Sequence, residues 1–330
     1  MGKIIAIMSG KGGVGKTTLT AYVGAALNRR GYRVLITDAD FGMRDLDLVL
    51  GKENDIFFDA VDIWKDRCNK DNAMVPLREG FDFLPATQSR RWEDVGRKGY
   101  GKLIKKIAKD YDYVIIDAPA GIGRGNEAIF RVAEQLLLVA EPMWVSLRAV
   151  QRVMQLCHEE RLFNYGLVLN NVGRSEAAVP VEEALQSLQV ENLATIWPHS
   201  ANILNWSQAG VLHEECDEAI ETMMEPLLTY LESDTAWEET DILERWHSLF
   251  DVQNVDEEEA ITETDTDTDT DESVEVAMTP ENKTETIELV TETQANEVEQ
   301  QNEEPPKKTS FGSLLKRRFA SFWNRGGRFR

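Results

Sequence analysis

The chain has 330 residues and a formal net charge of −22, with 42% hydrophobic and 28% charged residues. This length and apolar content allow one large domain with a sizeable core, or two small domains. The sequence has no apolar run of about 18 residues, no leader-peptide pattern and three widely separated cysteines, so we expect a protein of the reducing cytosol with no membrane-spanning helix and no paired-cysteine metal site.

The first predicted elements are a buried strand, Lys3–Met8, and a helix from Thr17 to Arg30 that ends at Gly31. The glycine-rich loop between them satisfies the phosphate-binding pattern G-x-x-x-x-G-K-S/T. Its backbone N–H groups can surround a phosphate, while Lys16 reaches the β- and γ-phosphates of ATP and the Thr17 hydroxyl holds Mg²⁺. The predicted nucleotide-binding residues of this loop are Gly10, Lys11, Gly12, Gly13, Val14, Gly15, Lys16, Thr17 and Thr18.

A second lysine, Lys11, lies inside this loop, where an ordinary phosphate loop needs no charge. The sequence KGGVGKTT over residues 11–18 resembles the deviant phosphate loop of the ParA/MinD superfamily. In that superfamily the extra lysine reaches the nucleotide bound by a partner subunit. The resemblance therefore implies a homodimer in the ATP state, with Lys11 acting in trans and both Lys11 and Lys16 serving catalysis.

An acidic segment, TDADFGMRDLD over residues 37–47, follows the second predicted strand. It is similar to the switch segment D-x-D-x-G-x-R-N-L-D of MinD-type ATPases, although Asp45 stands where the family usually has Asn. The resemblance implies that Asp40 positions the attacking water and that Asp38 lies near the Mg²⁺ shell. Hydrolysis needs a polar group near the γ-phosphate at a point that can move with nucleotide state. An ordinary acidic turn is the alternative.

Asp117 ends a hydrophobic strand, Tyr113–Asp117, and is followed by Ala-Pro-Ala-Gly. A carboxylate at a strand end beside a phosphate loop is suited to holding Mg²⁺ through water. The family usually has D-S-P-A-G here, and Ala118 replaces its serine. We therefore predict that Thr17, Asp38 and Asp117 surround the metal; a helix cap is the alternative for Asp117.

Strands and helices alternate from Lys3 to about Leu231, which predicts an α/β fold of the P-loop NTPase type. Near-continuous apolar strands indicate a mostly parallel, twisted sheet with helices on both faces and ligands at the carboxyl ends of the strands. By resemblance, Asn170 reads the adenine edge and Pro198 packs on the base. The other predicted strands are 34–37, 81–85, 135–140, 166–170 and 193–197, and the clearest helices are 101–109 and 147–160.

The stretch from Pro142 to Arg152 departs from the family pattern, because Ala149 and Gln151 replace two aspartates. In MinD-type proteins this helix binds division-inhibitor and activator partners, so the identity of the partner is open here. Residues 237–250 are expected to form a short amphipathic helix that docks on the domain, and a partner-binding site is the alternative.

Charge divides the chain into three predicted parts: an ATPase domain at 1–250, a disordered acidic linker at 251–308 and a basic tip at 309–330. Residues 251–304 contain 20 Asp and Glu against one Lys, a net charge of −19, whereas 305–330 carry +8 and 1–250 carry −11. The linker is too poor in aromatics to bury a core. A flexible chain of this length spans about 40 Å, and it could fold back on the basic tip.

The tip is predicted to form a basic amphipathic helix that binds an anionic membrane surface. Its large apolar residues recur at helical spacing, flanked by cations that can snorkel. Docking on the protein's own core and contact with nucleic acid are the alternatives. The predicted membrane residues are Phe311, Leu314, Leu315, Lys316, Arg317, Arg318, Phe319, Phe322 and Trp323.

These features predict a slow, partner-stimulated ATPase that dimerises with ATP and associates with the inner face of the cell membrane from the cytoplasm. The resemblance implies spatial positioning, above all division-site selection. A relative that positions another cargo, such as flagella, is one alternative. A ParA-type DNA-partition ATPase is another, which the negative charge of residues 1–250 disfavours, as it disfavours nucleic acid as a partner.

Overall fold

The computed structural model describes residues 1–94 and 97–249, and within them the chain forms one eight-stranded sheet. The strand order is β3-β4-β2-β5-β1-β6-β7-β8, and only the pairing of β3 with β4 is antiparallel. The predicted mostly parallel sheet is confirmed. The strands are β1 Lys3–Met8, β2 Val34–Asp38, β3 Val75–Arg78, β4 Phe81–Leu84, β5 Tyr113–Asp117, β6 Gln135–Ala140, β7 Tyr165–Val172 and β8 Leu193–Pro198.

Helices cover both faces of the sheet, as predicted, because every central strand is apolar on both sides. One hydrophobic core joins the sheet to α1 and α10, and the other joins it to α5, α6, α7 and α8. The helices are α1 Lys16–Arg29, α2 Leu46–Val49, α3 Ala60–Trp64, α4 Lys70–Ala73, α5 Arg97–Ile107, α6 Arg124–Phe130, α7 Trp144–Glu159, α8 Val181–Leu188, α9 Ala201–Ala209, α10 Glu218–Ser233 and α11 at 239–249.

Strand β3 was not predicted, since it has only four residues and contains Pro76. Proline removes a backbone donor and is tolerated at the edge of a sheet, which is where β3 lies. Helix α11 confirms the docking expected for residues 237–250. Ile242 and Trp246 are buried in the same core as α5 to α8.

The topology brings the carboxyl ends of β1, β2 and β5 to one place. Asp38 and Asp117 are register partners on β2 and β5, and Ile7 of β1 pairs with Asp117 on its other side. Because all three strands are parallel, the phosphate loop after β1 lies at the same edge as the two carboxylates. The predicted membrane tip and acidic linker lie outside the described residues, and no described helix is long and apolar enough to cross a membrane.

Candidate functional site

The phosphate loop leaves β1 and turns sharply into α1. Gly13 and Gly15 have φ angles of +79° and +90°, in the left-handed region that favours glycine. Gly10 is needed for a different reason, because a Cβ there would lie 2.2 Å from the Ala149 carbonyl oxygen of α7. The backbone conformation of its glycines therefore shapes the loop, which packs closely against α7.

Asn170 at the end of β7 is tied directly to this loop. Its Nδ2 donates to the Val14 carbonyl at 2.7 Å, and a Cβ on Gly15 would lie only 2.4 Å from that nitrogen. Asn170 is buried and still offers its other amide groups to a ligand. The predicted adenine-reading residue and the predicted phosphate loop thus form one unit.

Thr17 and Asp117 meet below the loop, as the metal prediction requires. The Thr17 hydroxyl donates to Asp117 Oδ2 at 2.7 Å, whereas Oδ1 of this buried carboxylate has no hydrogen-bond partner. Burial raises the pKa of Asp117 to about 6, opposed by the nearby Lys16 ammonium. An orphaned buried carboxylate oxygen beside a hydroxyl is an oxygen donor set that suits Mg²⁺.

Asp38 lies beside Asp117 but uses both carboxylate oxygens on the backbone of the switch segment. Oδ1 accepts from the Asp40 N–H at 2.7 Å, and Oδ2 accepts from the N–H groups of Asp45 and Leu46 at 3.1 Å each. Burial, and next the charge of Asp117, raise the pKa of Asp38. In this arrangement the carboxylate holds the turn at residues 40–46, so its role near the Mg²⁺ shell stays a prediction.

Asp40 and Lys16 lie close to each other at the mouth of the loop. Burial raises the pKa of the half-buried Asp40 carboxyl, and the Lys16 charge opposes that rise. Lys16 is largely buried, while Lys11 projects into solvent. The two lysines thus differ in exposure. Lys16 faces the site of its own chain, whereas Lys11 is exposed and accessible to a second molecule.

An aromatic cluster that the sequence did not single out supports the switch segment. Phe41 stacks on Trp92 with ring centroids 4.4 Å apart, and Tyr100 meets both edge-on. Trp92 Nε1 also donates to the Ala39 carbonyl at 2.8 Å. No local pattern marks Trp92, because its partners in the switch segment, Ala39 and Phe41, are about fifty residues away along the chain.

Arg44 and Asp47 form a second support for the switch segment. Arg44 has a φ of +58°, unusual for a residue with a side chain, and its Nε donates to the buried Asp47 carboxylate at 2.7 Å. The ion pair offsets part of the cost of burying Asp47, whose pKa is raised by burial. The segment is held in a strained turn of the kind found in switch regions.

A cavity of about 260 Å³ opens from the phosphate loop toward β8 and α9. It contains both predicted base-contacting residues, Asn170 and Pro198, together with Gly13 and Gly15 of the loop. This volume and its mixed apolar and polar wall suit a nucleoside. Lining residues that the sequence did not indicate include Asn171, Arg174, Trp197, Ile203 and Leu204.

Comparison with known proteins identifies close relatives. A family model described as an AAA domain matches residues 2–163. The septum site-determining protein MinD of Synechocystis is 37% identical over 217 residues, which cover 64% of this chain and 81% of that protein. MinD of Bacillus subtilis is 35% identical over 204 residues, covering 59% and 76%.

Solved structures agree. The MinC:MinD cell division protein complex of Aquifex aeolicus matches with a TM-score of 0.57 and 33% identity, covering 63% of this chain and 86% of that chain. MinD complexed with Mg-ADP from Pyrococcus horikoshii gives 0.58 and 31%, covering 64% and 87%. A ParA family ATPase from Chlorobium tepidum, at 21% identity with a TM-score of 0.62 and coverage of 69% and 99%, shares the fold.

Proposed function

The chain belongs to the MinD family of septum site-determining proteins, and on this basis we propose that it is an ATP-driven switch that helps to place the division site. The observation that carries the proposal is the pairing of Thr17 with Asp117 beneath the phosphate loop, which leaves Asp117 Oδ1 without a partner. A phosphate loop with a ready oxygen site for Mg²⁺ is the machinery of nucleoside triphosphate hydrolysis.

In this mechanism the loop amides and Lys16 bind the β- and γ-phosphates, while Thr17 and Asp117 hold the metal. When bound, Mg²⁺ neutralises charge that develops on the phosphate oxygens. Asp40 orients the attacking water, and its raised pKa favours acceptance of a proton. Asp38 keeps Asp40 in place through its hydrogen bond to the Asp40 N–H.

The base occupies the cavity beyond the loop. Asn170 presents an amide that can both donate to and accept from the adenine edge, and Pro198 packs on its face. Because Asn170 also holds the Val14 carbonyl, base binding and phosphate-loop geometry are linked.

Dimerisation is proposed to occur through the face that carries the loop. Lys11 is exposed there, and Met43 and Ile122 expose 65% and 49% of their surface on the segments that follow β2 and β5. A second copy would cover these side chains and receive Lys11 at its own phosphates. Hydrolysis removes the contact between Lys11 and the γ-phosphate, so the dimer opens. Turnover is proposed to be slow until a partner protein stimulates it.

Membrane association is assigned to the C-terminal residues between Phe311 and Trp323. One amphipathic helix binds an anionic surface weakly, whereas two on one dimer gain by effective concentration. ATP therefore controls location: the protein is cytoplasmic as a monomer and peripheral to the inner face of the cell membrane as a dimer.

Helix α7 is the proposed site for a division-inhibitor or activator partner. Both replaced positions are half-buried and already in contact with the domain: Ala149 lies against Gly10, and Gln151 donates to the Ser187 carbonyl at 2.9 Å. The exposed surface of α7 instead begins with Trp144 and Val145. The Aquifex aeolicus relative was solved with MinC, and a partner of that class is proposed here.

Light scattering of the full chain tests the switch. We expect a monomer with ADP and a dimer with ATP and Mg²⁺, and Asp40→Ala should keep the dimer intact because hydrolysis stops. Lys11→Ala should bind ATP and remain monomeric, whereas Lys102→Ala, on the exposed face of α5, should behave as the unaltered chain. Dimerisation that is independent of nucleotide, or that survives loss of Lys11, would refute the proposal.

A further inference from the structure

Glu141, at the carboxyl end of β6, is a buried carboxylate that the hydrolysis mechanism does not use. Only 9% of this residue is exposed. Its Oε1 accepts from Asn171 Nδ2 at 2.9 Å and from Arg174 Nη1 at 3.3 Å. A buried charge is costly unless it is paired and hydrogen-bonded, so Glu141 and these two partners act as one group.

The backbone conformation of β7 explains how Asn171, one of the two partners of Glu141, reaches the nucleoside cavity. The register between β7 and β8 shifts between Leu169 and Val172, and Asn171 has a φ of +57°. In a regular strand, neighbouring side chains point to opposite faces. The irregularity here places both Asn170 and Asn171 on the cavity wall, as bulges beside binding sites often do.

Arg174 brings a positive charge to the wall of the same cavity. It lines the wall with Asn171, and its side chain is 59% exposed although Glu141 binds one of its nitrogens. Among the described residues of this wall it is the sole Arg or Lys. A guanidinium has five donors on a rigid plane, so several remain for a ligand.

The phosphate loop fixes which part of a nucleotide meets Arg174. Gly13 and Gly15 of the loop line the same cavity as Arg174. A nucleotide with its phosphates on the loop therefore places its nucleoside in the cavity whose wall includes Arg174. Planar guanidinium groups are attracted to the faces of aromatic rings.

We propose that Arg174 is a nucleoside-binding residue that lays its guanidinium against the purine face, and that Glu141 is the positioning residue that holds Arg174 and Asn171. The inference rests on the proposed ATP binding and adds a purine clamp to it. Arg174 contributes to binding of the nucleoside half and not of the triphosphate.

Titration calorimetry of the full chain with Mg²⁺ and ATP, GTP or inorganic tripolyphosphate tests the clamp. Arg174→Ala should weaken ATP binding about tenfold and leave tripolyphosphate binding unchanged. Arg174→Lys, which keeps the charge and loses the plane, should recover only part of the loss. Glu141→Gln keeps an oxygen acceptor and should weaken ATP binding less than Arg174→Ala. Arg131→Ala, an exposed arginine after α6, is the control and should change nothing.

Three results would overturn the clamp. Arg174→Ala could bind ATP as the unaltered chain does, or it could lose tripolyphosphate affinity to the same extent, which would indicate a general charge effect. The unaltered chain could also bind tripolyphosphate as tightly as ATP, which would remove the base from the cavity and leave phosphate binding intact. If the unaltered chain bound none of the three ligands, the proposed function itself would be refuted. Thermal unfolding of each variant verifies that it is folded.

Discussion

Asp38 and Asp117 stand side by side at the ends of two parallel strands, and burial raises the pKa of both carboxyls. Two like charges this close are costly to ionise together. The arrangement becomes favourable when a cation occupies the site, so the structure stores a cost that metal binding relieves. The two neighbouring carboxylates are therefore suited to binding a cation and do not by themselves stabilise the fold.

Because ionised Asp117 is costly to bury, replacing it with a neutral side chain should raise the stability of the metal-free chain, by an amount that depends on pH. Its pKa rises from 3.8 to about 6 on folding, so its favourable contribution to folding is complete below about pH 4 and is lost as pH rises through 6. Asp117→Asn should therefore stabilise the metal-free chain by about 2–3 kcal/mol at pH 8 and by little at pH 4. Thermal unfolding in EDTA, without nucleotide, measures this. A difference between the two chains that is the same at both pH values would contradict it.

Residues of the site differed in how far the sequence revealed them. Lys16, Thr17 and Asp117 belong to contiguous motifs whose chemistry dictates their spacing, and the structure brings them together. Glu141 accepts a hydrogen bond from Asn171, 30 residues away along the chain, and Trp92 donates one to Ala39, 53 residues away. Their roles depend on tertiary packing, which no local pattern encodes.

At the scale of elements, the phosphate loop, α1 and β7 are built as one unit through Gly15 and Asn170. A matched pair of glycines tests this. Gly15 and Gly31 have φ angles of +90° and +92°, but a Cβ on Gly15 meets Asn170 Nδ2 at 2.4 Å, whereas one on Gly31 meets nothing within 4 Å. Alanine strains the backbone equally at both positions.

We therefore expect Gly31→Ala to lower stability by about 1–3 kcal/mol and to bind ATP normally. Gly15→Ala should lower stability by at least as much and weaken ATP binding at least about tenfold, because Asn170 is displaced from Val14. Denaturant unfolding and calorimetric titration give the two quantities. Equal ATP affinity in the two variants would show that the contact between the loop and β7 does not matter for binding.

Most elements could be predicted because strand and helix periodicities are long and clear. All seven predicted strands are present, within about three residues at their ends. The exceptions have physical reasons: β3 is a short edge strand containing Pro76, and the β7 irregularity at residues 170–171 depends on its pairing with β8. Irregular pairing is a tertiary property that periodicity does not report.

At the scale of the whole molecule, net charge conceals how charge is distributed. Residues 1–250 carry −11, yet α5 exposes Lys102, Lys105 and Lys106, with Lys109 following at helical spacing. None of the four has an ion-pair partner among residues 1–94 and 97–249. The negative net charge of residues 1–250, which disfavours nucleic acid as a partner, therefore does not describe the exposed surface of α5. The preference for a membrane partner rests instead on the aromatic residues of the C-terminal tip.

The central claim is that ATP controls where this protein resides, and sedimentation with anionic liposomes tests it most directly. The full chain, a truncation ending at Lys308 and Lys11→Ala would each be measured with ATP, ADP and no nucleotide. The account predicts that only the full chain with ATP sediments with the vesicles. Equal sedimentation of the full chain in all three nucleotide conditions, or sedimentation of the truncated chain, would contradict it.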